Sequence, residues 1–565
     1  MTTIAIDFET YYAAGYDLRA GLDPYLADPR FKVICVAVHG AEGVIYSGPP
    51  ERCPWERILG ADLLLAHNIG FERAVLRRLG LDPGPVDKWA DTASLCAYLQ
   101  APRKLEDGTP VLIPDLPPKM KVEIKGKQTA DADTLEYNRH DARLCWELWN
   151  RYGCHWPVQE LEIARLTVEW AERGTLIDEA RAHEFLAKAL AIQQEVADGL
   201  PWTPKLPPLS PKAVKRACEA LGIPAPPKKT DNEDAFEEWV KTHGPVAPWI
   251  TQLSRYRSAS ALAARIKKLI DRRRPDGRVR AELFYYGAWT GRWTSAGGIN
   301  FQNQRRKPFE QIDVRSLIIP RTSCSLLVAD LSQIEARVIQ WLAGNHRFLD
   351  LIRSGLDPYQ ATALQLNLWD GKAQLAEDTR QLCKQAALSL GYGVGGEQFS
   401  DITGLDFSRA CDFVTKWRSS NPEVTALWAK LEQAMRANLG GDFSLRLPAG
   451  RYLRFGKIAE GRKGELSAVT IRGQPPERFW GSKIAQAMTQ AIARDIFAHG
   501  LLLVRRLDSV KVLFTSHDEV VAEVPTSESA ELADQVKSAL TTGPLWAPGL
   551  PLDSKVKILD RYTKA

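Results

Sequence analysis

Two carboxylates fall at places in the hydrophobic pattern where they could do chemistry. Asp330 follows an apolar run, residues 318–320 and then 326–329, short enough for a buried strand. Behind it, Ser332 is a candidate N-cap, and Ile334, Val338, Ile339 and Leu342 recur at helical spacing. A carboxylate at the end of a buried strand, ahead of a helix start, can hold a divalent cation against a phosphate; it can equally cap the helix. The second stretch, Val510 to Val524, reads as two strands rich in β-branched residues, broken by His517-Asp518-Glu519. Hemmed in by valines, that tip lies over a buried sheet. Asp330 and Asp518 together could therefore hold two Mg²⁺ or Mn²⁺ ions about 3.5–4 Å apart, the arrangement that serves in-line phosphoryl transfer.

A further group lies near the N-terminus. Ile4-Ala-Ile-Asp-Phe-Glu-Thr10 is a short strand whose alternation puts Asp7 and Glu9 on one side, where both can reach a metal. Asp62-Leu-Leu-Leu-Ala-His-Asn-Ile-Gly-Phe-Glu-Arg73 is an apolar strand opening into a helix, with Asn68 or Gly70 at the turn and Phe71, Val75, Leu76 and Leu79 at helical spacing. Tyr137-Asn-Arg-His-Asp141 opens a third element, a helix through Leu144, Leu148 and Trp149.

The stretch around Asp330 resembles the palm motif of family A DNA polymerases (the DNA polymerase I family), and the one around Asp518 resembles their His-Asp-Glu motif. Between them, Arg380-Gln-Leu-Cys-Lys-Gln-Ala-Ala-Leu-Ser-Leu-Gly-Tyr-Gly393 is similar to the fingers helix. Three matches in the right order imply template-directed DNA synthesis on two divalent ions at Asp330 and Asp518, with Glu519 beside them. The resemblance also implies that Gln333, Arg380, Lys384, Leu388 and Tyr392 face the incoming dNTP. Arg380 and Lys384 would clamp its triphosphate, and Lys384 could neutralise charge as pyrophosphate leaves. Glu335 is implied as the steric gate against a ribose 2′-hydroxyl, and Arg337 as a support through a salt bridge. Ala288-Trp-Thr-Gly-Arg-Trp-Thr-Ser295 and Asn300-Phe-Gln-Asn303 are similar to segments that face the primer–template minor groove, where donors such as Arg292 and Gln302, with Asn300, test pair geometry without reading sequence. His517, Gln490 and Arg494 are further expected DNA contacts, the last two because Gln486, Gln490 and Arg494 recur at steps of four along a strong helix. The sequence departs from the family at Leu388, where Phe or Tyr is usual, which bears on sugar discrimination and nucleotide affinity; it departs also at Ala387, where Asn or a similar residue is usual, and at Ala487, where the pattern has Asn.

The N-terminal trio resembles the motifs of DEDD-type 3′–5′ proofreading exonucleases in their Tyr-x-x-x-Asp branch. That resemblance implies two ions held by Asp7, Glu9, Glu72 and Asp141, with Tyr137 orienting the attacking water. Glu72 stands where the family supplies an aspartate.

With 565 residues the chain needs several domains. The expected architecture is α/β and multidomain, an RNase H-like exonuclease domain (1–155) followed by a right-hand polymerase. The latter divides into a thumb-rich part (156–275), a first palm part (276–350), fingers with inserted helices (351–495) and a second palm part (496–565). Gly174 reads as a helix C-cap, Ser210 as an N-cap followed by Pro211, and basic runs at Lys228-Lys229, Arg255 to Arg257, Lys267-Lys268 and 272–274 as a diffuse DNA-gripping surface. The net charge is only +5, and nine cysteines without a Cys-x-x-Cys pair point to reduced thiols rather than zinc or a disulfide framework. No apolar run is long enough for a membrane span, and the first residues enter a strand directly, so a cytoplasmic enzyme is expected.

A monomer acting on primer–template DNA and dNTPs in phage or prophage replication is expected, with phage replisome proteins as partners and without a nick-translation role, since no 5′-nuclease segment precedes the first strand. The alternative is a 3′–5′ exonuclease or a primer–template-binding protein with an impaired polymerase site.

Overall fold

A computed structural model describes residues 2–227, 233–305 and 307–563 of the chain; the basic run at Lys228-Lys229 lies outside them. The front of the chain is built on a five-stranded sheet: β1 (Thr3–Thr10), β2 (Val33–Gly40), β3 (Gly43–Gly48), β4 (Leu63–Ala66) and β5 (Trp89–Asp91), in the order β3-β2-β1-β4-β5. β1 runs antiparallel to β2 and parallel to β4, so it is the central strand and its apolar residues Ile4, Ala5, Ile6 and Phe8 are buried. α1 (Ile69–Arg78) leaves β4 through Asn68, whose backbone is left-handed (φ 117°) and whose N–H is held by an Asp91 carboxylate oxygen at 3.0 Å. α2 (Ala132–Tyr152) packs across β1, β2 and β3. It begins five residues before Tyr137, because Asp131 caps it by accepting from the Thr134 N–H.

α3 (Val158–Arg173) carries the chain out of this unit and ends at Gly174, which takes a positive φ of 66°. Contacts from both ends fasten the front unit to the rest: Arg73 and Arg77 on Glu172, Arg505 on Asp87, and Gln100, whose side-chain amide donates to the Thr470 carbonyl at 2.7 Å. α4 (Glu179–Asp198) and α5 (Pro248–Asp271) pack together, and Ser210 caps the helix beginning at Pro211, as its sequence predicts.

The second sheet comprises β6 (Cys324–Leu331), β7 (Lys511–Ser516), β8 (Glu519–Pro525) and β9 (Ser554–Leu559), in the order β7-β8-β6-β9 and antiparallel throughout. Its two faces feed different cores. Leu327, Ala329 and Val520 join the cluster that includes Ile492 and Phe497, whereas Leu326, Val328 and Val521 join the one that includes Phe185 and Ile266. Burial on both faces is why this stretch reads as an apolar run rather than an alternation.

Around it stand α6 (Ile334–Ala343), α7 (Pro358–Gln365), α8 (Glu377–Ser389) and α9 (Gly481–Val504). Ser332 does not cap α6: the capping position is Gln333, in left-handed conformation (φ 47°), and Ser332 is buried before it. Two expected domain boundaries cut through continuous helices. Residues 350–351 lie inside His346–Arg353, and 495–496 lie inside α9, so neither is a change of unit. No helix among the described residues is long and apolar enough to cross a membrane.

Candidate active sites

In the front unit, strand alternation on β1 and the docking of α2 bring Asp7, Glu9 and Asp141 together. One ligand oxygen from each lies within 4.8 Å of the others, the one such group of three among the described residues. Burial raises all three carboxyls, and repulsion adds to it at two of them: Asp7 goes up to about 7, by burial and then by Asp141, and Glu9 goes well above the usual range by burial and by Asp7, while Lys119 opposes the rise at Asp141. Asn138, one turn before Asp141, donates to an Asp7 carboxylate oxygen at 2.6 Å and fixes it. The Asp141 Oδ1 is buried without a partner. A crowded carboxylate set with an orphaned oxygen fits divalent ions, which would reverse the repulsion.

Glu72 is not a member of the trio. It is buried on α1, one of its oxygens has no partner, and burial first, then Asp7, Asp91 and Glu9, raises its carboxyl. Tyr137 lies on the same α2 face as Asp141, one turn earlier, and shares a hydrogen bond with it. The sequence reading missed Lys119, whose ammonium bonds Asp141 Oδ2 at 2.5 Å and sits 4.9 Å from the centre of the Tyr137 ring. Its surroundings, Pro117-Pro-Lys-Met-Lys121, carry no periodicity that would mark it.

The second site opens where β6 and β8 end. Asp330 pairs with Glu519 across the ladder, and the Leu331 N–H donates to the Asp518 carbonyl at 3.1 Å, so the two aspartates sit on neighbouring strand ends. His517 turns the hairpin with φ 58° and is exposed. A cavity of about 350 Å³ lies over them, lined by Arg292, Gln302, Arg315, Glu335, His517 and Tyr562 among others. Burial raises the Asp518 carboxyl, and Arg292 opposes that shift. Two half-buried aspartates side by side, at the rim of an open cavity, suit a divalent ion. Glu519 points away from solvent and accepts from the Tyr562 hydroxyl at 2.6 Å. In the sequence Arg561-Tyr562 is marked only by a resemblance to phage and prophage members of the family, without a role, and the buried Arg315 beside the Tyr562 ring carries no signal.

Glu335 stands on the first turn of α6, ion-paired with Arg292 and accepting from the Tyr392 hydroxyl at 2.8 Å. Gln333 reaches the Tyr359 hydroxyl. On α8, Arg380, Lys384 and Leu388 share one face, spanning about 80°. Tyr392 lies beyond the end of α8, in a following 3-10 turn, so the four-residue periodicity does not continue to it. Arg380 is held by Asp357 at 2.7 Å, Lys384 makes no ion pair with any described residue, and Leu388 is 53% exposed.

Two expected contacts, Arg494 with DNA and Arg337 in a salt bridge, are corrected. Arg494 is 2% exposed and forms a buried ion pair with Glu160, joined to Asp495 and Arg451, so it holds α9 to α3 instead of facing DNA. Steps of four advance 40° each around a helix, which carries Arg494 from the half-exposed face of Gln486 and Gln490 into the core. Asn300 spends its side-chain oxygen on Ser295 and on the Gln302 and Asn303 N–H groups, shaping the loop that carries Gln302. Arg337 donates to the Ser332 and Pro551 carbonyls rather than to a carboxylate. Ala487 is buried in the core, so its departure removes no surface group.

The sequence model of a family described as DNA polymerase family A matches residues 188–564. The DNA polymerase of Bacillus phage SP02 is 26% identical, with the whole of both chains covered. The DNA polymerase I of Aquifex aeolicus (strain VF5) is 24% identical over 64% of this chain and 59% of that protein; for the DNA polymerase I of Lactococcus lactis subsp. cremoris (strain MG1363) the identity is 20%, over 57% and 36%. Among solved structures, the POL domain of Pol1 from M. smegmatis, in complex with DNA primer-template and dNTP, superposes with a TM-score of 0.75 at 17% identity, covering 99% of this chain and 95% of that one, a likeness of fold.

Proposed function

The chain belongs to DNA polymerase family A and is a DNA-directed DNA polymerase, and we propose that Asp330 and Asp518 hold its two Mg²⁺ or Mn²⁺ ions while Asp7, Glu9 and Asp141 serve a linked 3′–5′ proofreading site. The observation that carries the reading is the pair of aspartates on neighbouring strand ends, opening on a cavity that Arg292 and Glu335 also line. In synthesis a primer 3′-oxygen attacks the α-phosphorus of a dNTP, and the bond from that phosphorus to the bridging oxygen breaks as pyrophosphate leaves. Bound divalent ions supply charge stabilisation at the attacking and leaving oxygens. Lys384, lacking an ion-pair partner, is free to meet the triphosphate, and Arg380 can join it by exchanging Asp357 for phosphate. Glu335, tied by Tyr392, fills the space beside the nucleotide sugar. Gln302, on a loop shaped by Asn300, and the half-exposed Gln490 are the minor-groove candidates.

At the front site Tyr137 orients water toward the terminal phosphodiester. The water oxygen bonds to phosphorus, the P–O3′ bond breaks, and a mononucleotide leaves. The whole-chain likeness to a phage polymerase favours a role in phage or prophage replication, as a monomer alongside other replication proteins.

Extension of a labelled primer with Mg²⁺ and dNTPs tests the reading, with wild type beside Asp518→Ala and one lane without nucleotides. Extension by wild type alone, with shortening of the primer by both proteins in the lane without nucleotides, is the expected result. A wild type that cannot extend overturns the assignment of the palm site, and one that cannot shorten overturns the front site.

A further inference from the structure

Lys119 brings an ammonium into direct hydrogen bonding with the carboxylate trio. It comes from outside the three motifs that make the front site, on the irregular segment between Leu105–Leu112 and α2. Its side chain is only 23% exposed, its ammonium bonds Asp141 Oδ2 at 2.5 Å, and it lies 4.9 Å from the centre of the Tyr137 ring while sharing a hydrogen bond with the Tyr137 hydroxyl. Asp141 is thus divided: one oxygen is on Lys119, and the other, buried and without a partner, is left open. Tyr137 and Asp141, one α-helical turn apart, are both gripped by the same ammonium.

Resting on the reading of this site as an exonuclease, we propose that Lys119 is a positioning residue for hydrolysis, a fixed cation that sets the Tyr137 hydroxyl and the Asp141 carboxylate against each other and leaves one Asp141 oxygen for a divalent ion. Two consequences follow that pull in opposite directions. The ammonium repels the ion it sits beside, so removing it strengthens ion binding. The same removal frees Tyr137 and Asp141 to turn, so water is no longer aligned and hydrolysis slows. A residue needed only for folding would weaken both.

The full chain, carrying Asp518→Ala so that extension is silent and the palm site is disabled, is compared with the same chain bearing Lys119→Met or Lys119→Arg. Degradation of a labelled single strand is followed in Mn²⁺, and Mn²⁺ binding is measured without DNA by calorimetry, with Asp7→Ala as the blank for the front site. The expected result for Lys119→Met is a kcat lower by roughly 10- to 100-fold, a KM for the strand within about threefold, and Mn²⁺ bound roughly fivefold tighter. Lys119→Arg, which keeps the charge, recovers most of the rate. An unchanged kcat in Lys119→Met overturns the proposal and leaves the exonuclease standing. So does weaker Mn²⁺ binding accompanied by a lowered Tm, the mark of a structural role. If the parent chain degrades nothing, the exonuclease reading itself falls and the proposal with it.

Discussion

At the front of the chain three carboxylates converge within 4.8 Å, Asp141 buried and Asp7 and Glu9 half-buried, and an internal lysine partly compensates them. In the palm, two aspartates stand at the ends of neighbouring strands under a cavity of about 350 Å³, faced by arginines that already have protein partners. Both arrangements suit divalent ions and phosphates, and under the proposed reading their surroundings differ because their substrates do. A site that takes one strand end can be prebuilt on rigid elements. A site that must admit a base pair and a nucleotide has to stay open, with its charged groups parked on Asp357, Glu335 and each other until the substrate replaces those contacts.

If the two sites are independent, single changes separate them cleanly. Asp518→Ala is expected to lower primer extension by on the order of 10³-fold or more, with degradation of a single strand within twofold of wild type. Asp141→Asn is expected to do the reverse. Parallel measurement of both activities in both variants checks this, and a variant that depressed both would show that the front unit and palm work as one site.

The next effect concerns the joint between the regions. Arg494→Met leaves Glu160 buried and unpaired beneath α9, a loss of roughly 3–5 kcal/mol for a broken buried pair. A lower apparent Tm with unchanged salt dependence of DNA affinity is the expected outcome. A DNA contact would instead reduce the slope of log affinity against log salt by about one. Glu160→Gln/Arg494→Met together should recover part of the loss, since neither charge is then stranded.

Residue spacing made some of this legible and hid the rest for identifiable reasons. Asp7, Glu9, Asp330 and Asp518 sit on or beside strands, where the alternation and the apolar runs mark both the strand and the half-buried acid. The cap at Ser210 and the positive φ at Gly174 are local chemistry, and local chemistry is written in neighbouring residues. Arg494 misled because a helical face read from sequence says nothing of what packs on it, and a buried ion pair uses the same residue types as a DNA contact. Lys119 and Tyr562 act through partners 22 and 43 positions away in sequence, Asp141 and Glu519, distances that no periodicity spans. Glu72 kept its motif position, and only the geometry shows that it stands beside the trio.

The raised carboxyls give the front site a pH signature. Asp7 holds its proton up to about pH 7 in the ion-free fold, far above the unfolded range near 3.9. The folded state therefore binds the proton more tightly, and the Tm of the protein in chelator should fall as pH rises from about 4 through about 7. Ions reverse this, because they bind only the deprotonated group. The rise in Tm on adding Mn²⁺ should be larger at pH 8 than at pH 6, an increment that Asp7→Asn should lessen. A pH-independent increment would mean that the cluster is already ionised, and that its compensation by Lys119 is stronger than the burial of Asp7 implies.

The smallest effect tests how open the palm site is. Leu388 lies on the α8 face shared with Arg380 and Lys384 and is 53% exposed. An exposed leucine there contributes contact to a nucleotide only once one is bound. Leu388→Phe adds a ring that can lie against the incoming nucleotide, an interaction of about 0.5–1.5 kcal/mol beyond area. The KM for a dNTP should then fall by roughly two- to tenfold, with kcat and single-strand degradation within twofold and Tm unchanged, because no buried contact is disturbed. Steady-state kinetics of single-nucleotide insertion read the difference. A change in kcat without a change in KM would place Leu388 against the moving parts of the fingers rather than the nucleotide. The palm site would then be closed by the protein more than by its substrate, and the contrast with the prebuilt front site would narrow.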